Sequence, residues 1–74
     1  MTDDDEDSIY LQSFGRRLAA LRVQRGLSQE ELAAACGLGP GEVRRVERGL
    51  RDLSVIALTD LAQALQLQPA DLMP

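Results

Sequence analysis

Three arginines between positions 44 and 48 are the side chains whose type and spacing most clearly suggest chemistry. Plotted at about 100° per residue, as in an α-helix, Arg44, Arg45 and Arg48 fall within about 100° of one another. Guanidinium groups donate paired hydrogen bonds to phosphate and to guanine O6 and N7, and a DNA major groove admits a single helix. The spacing therefore predicts a helix that presents three guanidiniums to duplex DNA. The alternative is a solvated charged face.

The opposite side of this segment carries the residues expected to anchor it. On the same wheel Val43, Val46 and Leu50 lie within about 60° of one another, and Glu47 lies beside them. We predict that the three apolar residues point inward from a recognition helix over residues 40–49.

The preceding segment has the signature of a second short helix. Ser28 and Glu31 have the spacing of a capping box, in which each side chain accepts a backbone amide of the other residue. This helix is expected to run to Cys36, and Gly37 supplies the left-handed residue that ends it. Pro40 favours the first position of the next helix. Two short helices around a glycine-containing break indicate a helix-turn-helix.

Further helical patterns on both sides complete an all-α, compact five-helix domain. Helix 1 is expected to start at Ser8 or Ser13 and to end at Gly26. Ser54 is expected to cap helix 4, and Pro69 to begin the short fifth helix. Leu11 shares the apolar side of helix 1, and the residues expected to face the core from helices 1 and 4 are Phe14, Leu18, Leu21, Val55, Leu58, Leu61, Ala62 and Leu65.

The amino-acid composition argues against catalytic, metal-binding and disulfide sites. The 74 residues include no His and one Cys, Cys36, which we interpret as a small buried apolar residue. Disulfide frameworks, zinc sites and Cys/His nucleophiles are therefore not expected, and neither is an enzyme, a cofactor or a small-molecule ligand. No long apolar run or signal sequence is present, so we expect a cytoplasmic protein with no membrane contact.

The net charge of −4 conceals a separation of charge along the chain. Residues 3–7 are five consecutive acids, whereas residues 16–51 hold all eight arginines against four glutamates, a net charge of +4. A basic face can therefore coexist with an acidic chain. We predict an acidic, disordered tail over residues 1–7, followed by the DNA-binding domain over residues 8–74. The tail is either a solubilising end or an acidic segment that competes with DNA for the arginine face or repels non-specific DNA.

Several motifs in order resemble the lambda-repressor-like (Cro/cI, XRE-type) helix-turn-helix domain over residues 13–73. They read GLSQEELA at 26–33, GL at 37–38, VERG at 46–49 and LAQAL at 61–65. The resemblance implies a transcriptional regulator that binds double-stranded DNA as a homodimer. In size it is most similar to small phage repressors and restriction-modification controller proteins, which bind palindromic operators.

The resemblance also assigns roles to individual residues. It implies that base-reading positions lie on the recognition helix and that phosphate contacts flank them, while helix-start amides offer an anion site at Ser28 and Gln29. It further implies a structural ion pair between Arg22 and Glu47, both at the edge of the core. The base-reading set is Pro40, Gly41, Arg44 and Arg45, and the phosphate set is Ser28, Gln29, Arg48 and Arg51.

The start of the recognition helix departs from the family pattern. Pro40, Gly41 and Glu42 stand where members commonly carry Ser, Thr, Gln or Arg, and Glu42 would either repel phosphate or accept from a cytosine amine. Base reading is therefore expected to fall on Arg44 and Arg45. The departure also admits an alternative function: a protein-interaction adaptor or antitoxin-type module that keeps the fold with weak or no DNA readout.

A dimer interface is predicted from apolar residues near the C-terminus. Ile56 falls off the apolar face of helix 4, where it would be exposed. Together with three apolar residues near the C-terminus, Ile56 is expected to form a contact patch between two copies of the chain. The predicted patch is Ile56, Leu67, Leu72 and Met73.

Overall fold

Four α-helices and one 3-10 helix form the structure, a computed structural model that describes the backbone of residues 3–72 and the side chains of residues 9–72. The helices are α1 (Asp3–Gln24), α2 (Gln29–Cys36), α3 (Pro40–Glu47), α4 (Val55–Ala64) and the 3-10 helix (Pro69–Leu72). This is the predicted all-α architecture, with a 3-10 turn as its fifth helix. Among these helices none is long and apolar enough to cross a lipid bilayer.

Helix α1 begins earlier than the sequence suggested. Its first residue is Asp3, so both Ser8 and Ser13 lie inside the helix. The division into an acidic tail over residues 1–7 and a domain over residues 8–74 stays a prediction. Residues 1, 2, 73 and 74 lie outside the described part of the chain.

The ends of α2 and the start of α4 confirm the predicted caps. The Ser28 hydroxyl accepts a hydrogen bond from the Glu31 amide at 3.0 Å, and the Glu31 carboxylate accepts one from the Ser28 amide at 2.8 Å. Gly37 ends α2 in the left-handed region, with φ 71°. At the start of α4 the Ser54 hydroxyl accepts the Ala57 amide at 3.1 Å. These local contacts stabilise both ends of α2 and the start of α4.

All five helices contribute to one apolar core. Its buried residues are Phe14, Leu18, Leu32, Ala33, Val43, Val46, Leu61, Ala62, Leu65 and Leu72. Two predicted core positions are wrong, because Leu50 is 66% exposed and Val55 is 78% exposed. Leu50 follows Gly49, whose φ of 75° takes the chain off the helix, so helical spacing does not apply to it. Val55 is the first residue of α4, where its side chain faces solvent.

The C-terminal turn corrects the predicted dimer patch. Leu72 is fully buried in the core of its own chain, so it is not available to a second copy. Leu67 is half-buried against the same core, and Met73 lies outside the described residues. The turn is tied to α1 by a hydrogen bond from Arg17 Nε to the Asp71 carbonyl oxygen at 2.6 Å.

Two glycines allow α1 and the end of α3 to approach each other closely. A Cβ atom on Gly15 would lie 2.4 Å from the Val46 carbonyl oxygen, and one on Gly49 would lie 2.8 Å from the Gln12 Cα. Both obstructing atoms belong to the backbone, which cannot rotate away. The position of α3 on the domain therefore depends on glycine at these two contacts.

Cys36 is a half-buried thiol packed against the core. Burial raises the pKa of this thiol above its ordinary value, and the nearby Asp60 carboxylate raises it further. A protonated thiol is a poor nucleophile. The environment of Cys36 therefore fits a packing role.

Candidate nucleic-acid interface

The guanidinium face of α3 is exposed and pairs with none of the side chains that the structure describes. Arg44, Arg45 and Arg48 are all exposed, and none makes a side-chain hydrogen bond or ion pair with residues 9–72. On the other side of the helix Val43 and Val46 are each 1% exposed. The structure therefore separates three outward cations from an apolar anchor, as the helical wheel indicated.

Arg48 lies just past the last turn of α3 rather than within it. Its φ of −87° and ψ of −1° remain right-handed, and its amide donates to the Arg44 carbonyl oxygen at 3.1 Å. The side chain therefore continues the helical spacing of Arg44 and Arg45. Glycine at position 49 turns the chain away immediately afterwards.

A nearly buried ion pair fixes α3 to the rest of the domain. Arg22 Nε donates to Glu47 Oε2 at 2.6 Å and Arg22 Nη2 to Glu47 Oε1 at 3.2 Å. The two side chains are 15% and 7% exposed. Arg22 Nη1 also donates to the Leu27 carbonyl oxygen at 2.7 Å. This pair therefore joins the end of α1, the turn before α2 and the end of α3.

The start of α2 belongs to the same network. Gln29 Nε2 donates to Glu47 Oε1 at 2.9 Å, a contact that the sequence did not suggest. Ser28 is occupied by its capping box with Glu31. An anion at this helix start would therefore meet the amides of Gln29 and Glu30, which have no acceptor within the helix.

Glu42 is engaged on both carboxylate oxygens. Its Oε1 accepts the Gly39 amide at 3.3 Å, and its Oε2 lies 3.1 Å from Arg51 Nη1. The Arg51 and Glu42 side chains are 48% and 37% exposed. The sequence did not suggest this pair, because Arg51 lies beyond the turn that ends α3. The charge of Glu42 at the front of the interface is therefore balanced by a cation.

Pro40 and Gly41 lie exposed at the start of α3. Neither side chain carries a hydrogen-bond donor, and proline also lacks a backbone N–H. These two positions can approach DNA only through van der Waals contact or the Gly41 amide. The side-chain hydrogen-bond donors that this helix offers to base edges are therefore arginines.

Family comparison assigns the fold to a known group. The family model HTH_3, described as Helix-turn-helix, matches residues 18–72. The "Uncharacterized HTH-type transcriptional regulator y4dJ" of Sinorhizobium fredii is 41% identical over 58 residues, which cover 78% of this chain and 75% of that protein. "Control protein C.BamHI" of Bacillus amyloliquefaciens is 34% identical over 61 residues, or 81% of this chain and 75% of that protein.

Solved structures agree with the sequence comparison. The restriction-modification controller protein C.AhdI of Aeromonas hydrophila superposes with a TM-score of 0.83 at 46% identity, covering 85% of this chain and 96% of that one. The clp gene regulator ClgR of Corynebacterium glutamicum gives a TM-score of 0.82 at 30% identity, with coverage of 85% and 67%. These relatives are regulators rather than enzymes. The chain belongs to the HTH_3 (XRE-type) helix-turn-helix family of DNA-binding transcriptional regulators.

Proposed function

We propose that this protein binds a palindromic operator as a homodimer and represses transcription from it. The observation that carries the proposal is the set of three exposed guanidiniums on α3 that pair with no described acid. A charged face that only contacts solvent does not require three cations on one side of α3, nor the buried Arg22–Glu47 pair that holds this helix in place.

The proposed reading divides the interface into base contacts and backbone contacts. Arg44 and Arg45 read base edges, where arginine binds guanine O6 and N7 through two hydrogen bonds. Pro40 and Gly41 allow the helix start to approach the groove closely. The phosphate contacts come from the flanking positions, which are Ser28, Gln29, Arg48 and Arg51.

Exposed apolar residues next to α3 support the homodimer. Leu50, Val55 and Ile56 are 66%, 78% and 75% exposed, and all lie between the end of α3 and the first turn of α4. A two-fold interface pairs the same surface on both copies. Contact at this position would set two recognition helices side by side, as half-sites about 34 Å apart require. We propose that this patch, with Ile56 at its centre, replaces the one that included Leu72.

Similarity to named relatives supports a narrower role. The C.AhdI controller protein and the C.BamHI control protein are 46% and 34% identical to this chain. We propose that the chain is a small stand-alone regulator of this controller type. Its operator would then lie upstream of the genes that it controls.

Selection of bound sequences from a random duplex pool, combined with sedimentation, tests the proposal. We expect enrichment of one palindrome with half-site centres about one helical turn apart, bound by two copies of the chain. Arg44→Ala/Arg45→Ala should abolish the enrichment. Arg16→Ala/Arg25→Ala removes the same charge from exposed positions outside α3 and should preserve it. A folded wild-type protein that enriches no sequence would refute operator binding and favour the adaptor function.

A further inference from the structure

We propose that Arg51 sequesters the Glu42 carboxylate and thereby leaves the Arg45 guanidinium available for base recognition. The inference rests on the proposed operator binding and makes Arg51 a positioning residue for specificity, in addition to any phosphate that it contacts. Without Arg51, the negative charge of Glu42 would pair with Arg45.

Glu42 and Arg45 are three residues apart on α3, a spacing that places their side chains on one face of the helix. A glutamate that precedes an arginine at this spacing is close enough to form a stabilising ion pair with it. In the structure Glu42 is instead paired with Arg51, at 3.1 Å, and Arg45 pairs with no acid among residues 9–72. The carboxylate that helical spacing places beside Arg45 is therefore occupied by a different cation.

The path of the chain after α3 brings Arg51 to this position. Gly49 adopts a φ of 75°, and the following Leu50 amide donates to the Arg45 carbonyl oxygen at 2.9 Å. Residues 50 and 51 thus turn back along the side of α3 that carries Glu42 and Arg45. Arg51 and Arg45 carry the same guanidinium group and therefore compete for the Glu42 carboxylate.

The other Glu42 oxygen favours this arrangement. Oε1 accepts the Gly39 amide at 3.3 Å, which holds the carboxylate at the start of the helix. Loss of Arg51 would leave Oε2 without its partner in a position that is 37% exposed. Arg45 is then the cation that helical spacing offers. A paired Arg45 would have to give up the carboxylate before it bound guanine, and random-sequence binding would be affected less.

Four proteins test this: wild type, Arg51→Ala, Glu42→Gln, and Arg51→Ala/Glu42→Gln. The measured quantity is the ratio of Kd values for random duplex and for the selected operator at fixed salt. We expect Arg51→Ala to lower this ratio by about 1.4- to 2.3-fold, the strength of an on-helix ion pair, and the double variant to restore it. Glutamine at position 42 retains the helix cap. Arg51→Lys keeps a cation near Glu42 and should retain the ratio.

Arg48→Ala is the matched control, because Arg48 is exposed on the same face and pairs with no described acid. Since Arg48 is a proposed phosphate contact, its loss should weaken binding to both duplexes alike, so the ratio should stay at its wild-type value with either glutamate or glutamine at position 42. If Arg51→Ala weakens both duplexes equally, or if Glu42→Gln does not rescue it, Arg51 is a phosphate contact alone and the inference is overturned.

A measurement without DNA separates this inference from the proposed function. The NMR resonance of the Arg45 Nε–H group should shift in Arg51→Ala and return towards its wild-type position in the double variant. An unchanged resonance overturns the inference. A wild-type protein with no sequence selectivity would instead refute operator binding, while the resonance would still report whether Glu42 captures Arg45.

Discussion

Replacing Glu47 with alanine should destabilise the domain far more than the same change at Glu42, although both glutamates lie on α3 and both pair with an arginine. Glu47 accepts three side-chain hydrogen bonds, two from Arg22 and one from Gln29, at 2.6, 3.2 and 2.9 Å. Its side chain is 7% exposed and that of Arg22 is 15% exposed, so water replaces few of the lost contacts.

The size of the effect follows from this burial. Breaking a buried ion pair by removing one partner costs about 3–5 kcal/mol. Arg22 keeps one hydrogen bond, to the Leu27 carbonyl oxygen, and is not wholly buried, which places the expected loss near the lower end, about 3 kcal/mol. A domain of 74 residues has a free energy of unfolding of about 4–11 kcal/mol in total. Glu47→Ala should therefore remove a large fraction of the free energy of unfolding.

Glu42→Ala is the control, because its pair with Arg51 is 37% and 48% exposed and such pairs contribute about 0–1 kcal/mol. The variant also removes one long hydrogen bond, from the Gly39 amide at 3.3 Å. Urea unfolding followed by circular dichroism gives both free energies, and equal slopes would show that the variants share one two-state transition. Arg22→Met/Glu47→Leu should recover part of the loss, since it leaves no unpaired charge. If Glu47→Ala costs no more than Glu42→Ala, the burial reasoning is refuted.

Three further predictions concern DNA, assembly and packing. Arg45→Ala should weaken operator binding by about 1–3 kcal/mol and relax preference at one base pair, as measured by competition with single-site operator variants; an equal loss on random duplex would contradict base reading. Ile56→Asp should shift the sedimenting species towards monomer, whereas Val23→Asp, at a position 64% exposed on α1, should not; a dimer that persists in Ile56→Asp excludes this interface. Gly15→Ala should lower the free energy of unfolding, measured in urea, by about 1–2 kcal/mol, because a Cβ only 2.4 Å from the Val46 carbonyl oxygen outweighs the better helix propensity of alanine. Unchanged stability would show that α3 shifts freely on α1.

Local contacts were predictable from the sequence because they join residues three or four positions apart. The capping box of Ser28, the serine cap of α4 at Ser54 and the left-handed Gly37 each depend on one helix end, and the structure has all three. The inward valines and outward arginines of α3 were equally predictable, since one helical period determines both faces.

Tertiary structure decided what the chain meets where it leaves its helices. The sequence predicted that the recognition helix ends at residue 49, but not that the turn leaves Leu50 in solvent and brings Arg51 to Glu42. The burial of Leu72 likewise depends on the C-terminal turn folding back onto the core. Helical spacing predicts the faces of one helix, whereas contacts between helices depend on the path of the chain that connects them.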